Sequence, residues 1–141
     1  MLVQPYLFLD GRCEEAIAFY RQALGAEIVM MMRFADAPDP AACPPDPANA
    51  NKILHASFRV GGSEVLASDG RCEGRPKFEG FALSLTARNT AEAERLFGAL
   101  AEGGQVQMPL AETFFSPRFG MVADRFGVTW MVYVAPAAPA A

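Results

Sequence analysis

The chain has 141 residues, 52% of them hydrophobic, and a net charge of −4 from 12 basic and 16 acidic side chains. That length suits one domain with a sizeable core, and the absence of a basic stripe argues against nucleic acid and anionic membrane as partners. No window approaches the ~18 unbroken apolar residues that a bilayer span needs, and Met1-Leu2-Val3-Gln4-Pro5 lacks the basic flank of a signal peptide, so cytoplasmic residence is expected.

Val3 to Leu9 reads as the first strand. Pro5 lies inside it and cannot donate to a ladder, which places that strand at an edge or on a bulge. A helix follows from Arg12 or Cys13, with Glu14 and Glu15 where the helix dipole favours anions. Its apolar stripe is Ala16, Ile17, Tyr20, Ala23 and Leu24, with Gly25 as C-cap. A Met-rich strand, Ala26 to Phe34, runs into a proline-rich loop over residues 35–52, longer than the ~12–15 residues usual in compact domains. An interface arm or a lid is expected there.

Ile53–Val60 and Ser63–Ser68 form a hairpin across Gly61-Gly62. Asp69 to Glu79 is a polar linker. A second unit then opens with the strand Phe81–Thr86 and a helix capped by Asn89 or Thr90, with Ala93, Leu96, Phe97 and Leu100 as its buried stripe. The strand Gln105–Leu110 and the hairpin Phe119–Ala123 with Val128–Val134 complete it, and the tail 135–141 is expected to be disordered.

The chain thus states one motif twice. Residues 3–68 and 80–134 each read as βαβββ, within a single domain spanning 1–134. Each unit is too small to bury its own faces, so the expected fold is α+β, a curved mixed sheet forming a cup with both helices outside. A small ligand would enter that cup, against apolar residues such as Leu83, Leu85 and Met131. Three cysteines, Cys13, Cys43 and Cys72, have no CxxC spacing and imply neither a disulfide framework nor a zinc cage.

Several stretches carry a likeness to a known family: Gly11-x-Cys13-Glu14-Glu15-Ala16-x-x-Phe19-Tyr20, His55-Ala56, Leu66-x-Ser68-Asp69, and Glu112-Thr113-Phe114 through Arg118-Phe119-Gly120 to Phe126-Gly127-Val128-x-Trp130-Met131. The chain resembles the PhnB-like branch of the vicinal oxygen chelate superfamily, which contains glyoxalase I, bleomycin resistance proteins and extradiol dioxygenases. That resemblance implies paired βαβββ modules, a glyoxalase/bleomycin resistance-like fold and a homodimer. It also implies a metal ligand on the first and last strand of each unit. Aligned on the family, those positions fall at Pro5, Ala67, Phe81 and Met131. None offers the imidazole, carboxylate or thiolate a divalent ion wants, so neither metal nor other cofactor is expected.

Each candidate residue has a sharp and a bland reading. His55, the lone histidine, is a general base or ligand contact, or a hydrogen-bonded structural residue. Arg118 grips a carboxylate or phosphate, or pairs with Asp124 or Glu112; Thr113 and Phe115 accompany it as polar and stacking contacts, or as a turn cap and core. Cys13, in the first turn of a helix, is a reactive thiol or a small buried side chain. Ser68 and Asp69 line the cup mouth or form an ordinary turn. The favoured function is metal-free binding of a small molecule. The alternatives are a glyoxalase-like lyase or isomerase using His55, Arg118 or Cys13 in place of metal, and a structural dimer without ligand.

Overall fold

The computed structural model describes residues 1–38, 47–70, 72, 74 and 76–136. The chain divides into two compact units, Met1–Pro76 and Lys77–Ala141.

The first unit contains β1 (Tyr6–Phe8), α1 (Cys13–Leu24), β2 (Glu27–Arg33), β3 (Ile53–Val60) and β4 (Ser63–Ser68). Its four-stranded sheet has the order β1-β4-β3-β2. β1 is shorter than expected because Pro5 has no N–H to extend the ladder; its carbonyl still accepts the Leu66 N–H at 2.9 Å. The proline therefore stands just outside an edge strand, where it costs least. β1 runs parallel to β4, while β4, β3 and β2 are antiparallel neighbours. The Gly61-Gly62 turn joins β3 to β4 with the expected register, Val60 opposite Ser63.

α1 buries Ala16, Ile17, Tyr20 and Ala23, and Phe19 joins them. Tyr20 stacks on Phe58 of β3, ring centroids 5.6 Å apart, and both are fully buried. Fully burying an apolar side chain of this size contributes roughly 1.5–3 kcal/mol, so this stripe fixes which sheet face the helix covers. Gly25 ends the helix at φ 69°, a conformation that disfavours a Cβ, and its N–H reaches Arg21 O. β2 leads into a 3-10 turn at Phe34–Asp36, and another spans Pro47–Asn49. Residues 39–46, including Cys43 and the middle of the expected arm or lid, lie outside the described residues, as do 137–141 of the tail.

The second unit repeats the arrangement with β5 (Leu83–Ala87), α2 (Thr90–Ala101), β6 (Gln105–Ala111), β7 (Phe119–Ala123) and β8 (Thr129–Val134), in the order β5-β8-β7-β6. Again the first strand is parallel to the last. Asn89 caps α2, accepting the Glu92 N–H at 2.8 Å. Ala93, Leu96, Phe97 and Leu100 form the buried stripe.

One sequence expectation is corrected here. Leu85 is in register with Val132, which faces Gly120, and a Cβ at Gly120 would stand 2.8 Å from the Phe97 ring of α2. Leu83 and Leu85 therefore lie on the helix-covered face. Met131, paired with Ser84, turns to the other side. Alternation along a strand separates them, which a shared apolar character had obscured.

Candidate functional site

Because Phe58 packs on α1, the residues that alternate with it on β3, His55 and Ser57, face away from the helix. Register extends that face to Met32 opposite His55, Met30 and Leu66 opposite Ser57, and Tyr6 opposite Leu66. The Tyr6 hydroxyl lies 2.9 Å from His55 Nδ1, and the two ring centroids are 5.6 Å apart. Phe8 packs beside Tyr6 at 4.9 Å. Tyr6 is 37% and Phe8 57% exposed, and Ser57 Oγ is hydrogen-bonded to Glu64. The face is an apolar, partly aromatic platform with one polar pair set into it. Nothing local foretells that pair, since 49 positions separate its members.

Ser68 and Asp69, at the end of β4, are buried. Ser68 Oγ accepts the Gly70 N–H at 3.1 Å, ordinary turn chemistry. The Asp69 carboxylate reaches further. Its Oδ1 accepts the N–H groups of Gly11 and Cys13, both at 2.8 Å, and its Oδ2 accepts that of Ile53 at 2.7 Å. Arg12, the N-cap residue of α1, provides no side-chain cap, and Asp69 supplies one from 56 residues away. Gly11, at φ 102°, makes the backbone bend that presents its N–H.

Cys13 is fully buried under this carboxylate. Burial pushes its thiol far above its ordinary value of 9.0, with Asp69 and Glu14 adding in the same direction, so the helix dipole does not prevail. The Cys13 peptide is expected to resist iodoacetamide in the native protein and to label only on unfolding, read by mass-spectrometric mapping; rapid native labelling would contradict this. The raised thiol also has a pH consequence. Above pH 9.0 the unfolded chain loses this proton first, so stability contributed by Cys13 is intact below that pH and falls as pH rises past it.

In the second unit Thr113 Oγ1 accepts the N–H groups of Phe115 and Ser116 at 3.3 and 3.1 Å, closing a tight turn. Buried Ser116, which the sequence does not signal, ties that turn to the sheet through Val134 O at 2.6 Å. Phe115 is not core: it is half-exposed, 5.0 Å from Phe119 and 6.4 Å from Tyr133. Arg118 does not join those rings. Its Nε lies 3.5 Å from Glu94 on α2, not beside Asp124 or Glu112. Asp124 is occupied elsewhere, accepting from Phe126 N, Val128 N and Trp130 Nε1. The Arg118–Glu94 pair is solvated, so Arg118→Ala is expected to change stability by less than ~1 kcal/mol in a urea titration; a loss several times larger would contradict the surface pairing.

The metal positions implied by the resemblance do not fit a metal. Pro5, Ala67, Phe81 and Met131 bring no nitrogen, carboxylate or thiolate. Ala67 is also in register with Leu7 and with Ala56, and all three are buried on the helix-packed side. Its neighbours on the other side are Leu66 and Ser68. Among the described residues no group of three or more His, Cys, Asp or Glu could hold a metal ion, and no helix is long and apolar enough to cross a membrane.

Two four-stranded mixed sheets, each with one helix and each pairing its first strand in parallel with its last, define a protein of the glyoxalase/bleomycin resistance-like fold class; glyoxylase/bleomycin resistance and fosfomycin resistance proteins share the fold at low identity. Within that class, residues 2–133 match the family described as 3-demethylubiquinone-9 3-methyltransferase, and the chain belongs to this PhnB-like family. It is 38% identical to Protein YjdN of Escherichia coli (strain K12), over 99% of each chain. The crystal structure of PA1353 from Pseudomonas aeruginosa is 43% identical, covers 96% of this chain and 98% of its own, and superposes with a TM-score of 0.84. The PhnB protein from Bacillus cereus is 27% identical, with 96% and 100% coverage and a TM-score of 0.78.

Proposed function

We propose that the protein binds a small, largely apolar molecule without the help of a metal, on the sheet face that carries Tyr6, Phe8 and His55. The observation behind this reading is the exposed aromatic surface beside a hydrogen-bonded polar pair. Exposed rings lose contact with water when a ligand covers them, at roughly 25 cal/mol per Å² of apolar area, and a few polar groups fix orientation. The poor donor chemistry at Pro5, Ala67, Phe81 and Met131 supports the metal-free part. Equilibrium dialysis against a broad small-molecule library should yield a binder whose affinity falls about tenfold or more in Phe8→Ala. No binder at all, or a transition ion held at unit stoichiometry by protein purified without chelator, would overturn the proposal.

One observation favours an enzyme as second reading. The Tyr6–His55 hydrogen bond puts a titratable ring on the same face, where a lyase or isomerase would need a proton carrier. That reading requires a turnover lost in His55→Ala with the fold unchanged. We also infer a homodimer in solution: Ile28, Val29 and Met30 of the edge strand β2 are exposed apolar residues that a second copy would cover. Light scattering of purified protein giving a monomer mass would refute this.

A further inference from the structure

Resting on the binding reading above, the geometry points to a ligand class: a neutral, ring-bearing carbonyl compound, its oxygen held by His55 Nε2–H, with Tyr6 as the positioning residue.

The first step concerns the direction of the Tyr6–His55 hydrogen bond, 2.9 Å long. A phenol is a good donor and a poor acceptor, because its oxygen lone pair is drawn into the ring. A neutral imidazole nitrogen without hydrogen is a good acceptor. The favoured arrangement therefore has Tyr6 O–H donating to Nδ1. That choice forces the proton of the neutral ring onto Nε2, at the tip of the imidazole, which has no hydrogen-bond partner among the described residues. The site then offers one oriented donor beside two exposed rings.

The second step concerns charge. A carboxylate or phosphate ligand would require a cation close by. Among the described residues, the cations on or beside this unit's strands each have an acidic or carbonyl partner. Arg33 is held by Glu14 and by Asn51 O at 2.7 Å, Lys52 donates to Gly11 O at 2.9 Å, and Arg59 stands 3.9 Å from Glu27. Arg59 shares this face but stands opposite Glu64 in register, and Glu64 is itself bound by Ser57, two residues along β3 from His55. A formal negative charge would find no unpaired cation here among the described residues, whereas a ketone, quinone or amide oxygen accepts a hydrogen bond without one. The rings of Tyr6 and Phe8, tilted 31° to each other, suit a flat hydrocarbon portion against them.

His55 is the only histidine, so its ring signals in a ¹⁵N-labelled sample are unambiguous. The neutral ring of the wild type should show the Nε2–H tautomer, and Tyr6→Phe should shift it toward a mixture. Acetophenone should move the His55 resonances and bind about fivefold more tightly than ethylbenzene, the worth of one neutral hydrogen bond. Benzoate should bind more weakly than acetophenone, and Tyr6→Phe should erase most of the acetophenone advantage. A wild-type Nδ1–H tautomer, or a preference for benzoate, would overturn this inference while leaving small-molecule binding intact. A correct tautomer with none of the three compounds touching Tyr6, Phe8 or His55 would overturn the binding reading and this inference with it.

Discussion

Asp69→Ala is expected to cost about 3–5 kcal/mol, lowering the melting temperature by roughly 10–20 °C. The reason is the number of groups that one carboxylate serves. Gly11 N–H, Cys13 N–H and Ile53 N–H all end on it, and the residue is 1% exposed, so no water can take over at once. Charge-assisted hydrogen bonds of this kind contribute about 1.5–3 kcal/mol each, and their loss leaves buried donors unpaired. The same carboxylate joins the start of α1, the start of β3 and the end of β4, so the damage is not confined to one loop. Asp69→Asn is expected to lie between wild type and Ala. Its single oxygen can keep Gly11 and Cys13, but its amide then faces the Ile53 N–H donor to donor. Chemical denaturation of the three proteins tests the order. A loss below ~1 kcal/mol for Asp69→Ala would show that the carboxylate is not the fastener described.

Gly104→Ala is expected to be comparably severe, about 3 kcal/mol or more, through a steric rather than a polar mechanism. Gly104 sits between α2 and β6, and an added Cβ would stand 2.2 Å from the Ala123 carbonyl oxygen and 3.0 Å from two backbone atoms of Asp124. Those neighbours are main chain and cannot swing aside, so the β6–β7 ladder would have to part at its end. Gly98→Ala supplies the contrast. Gly98 lies inside α2 with nothing within 4 Å of the added methyl, so this change should stabilise by up to ~1 kcal/mol, the difference in helix propensity. Equal effects from the two substitutions would refute the packing argument.

Much of the fold was legible from local signals. Gly61-Gly62 set the register of the β3–β4 hairpin, Gly25 and Asn89 marked helix ends, and the stripes at 3.6 spacing named the buried faces of α1 and α2. Such features work through neighbours a few residues apart, so they are written in the order of the chain. The recurrence of βαβββ followed from them, while the resemblance to PhnB-like proteins rests on residue motifs such as Gly11-x-Cys13-Glu14-Glu15-Ala16.

The site was less legible. His55, Arg118, Thr113, Phe115, Cys13, Ser68 and Asp69 were all named from sequence, but their partners were not. Arg118 meets Glu94 rather than Asp124, and Asp124 holds the Trp130 indole instead. Cys13, which a helix N-terminus alone would activate, is silenced by the burial that packing imposes. No sequence signal marks Tyr6, because its significance depends wholly on His55, two strands away across β4.

By itself, then, the sequence determined the elements, their order and the duplicated motif, because composition and short-range periodicity encode these directly. Only the tertiary structure decided which polar groups meet: the Tyr6–His55 pair, the triple grip of Asp69 and the side of the sheet on which each residue falls. A hydrogen bond is satisfied over about 3 Å of space, however much chain intervenes, and spacing along the chain carries no record of that distance.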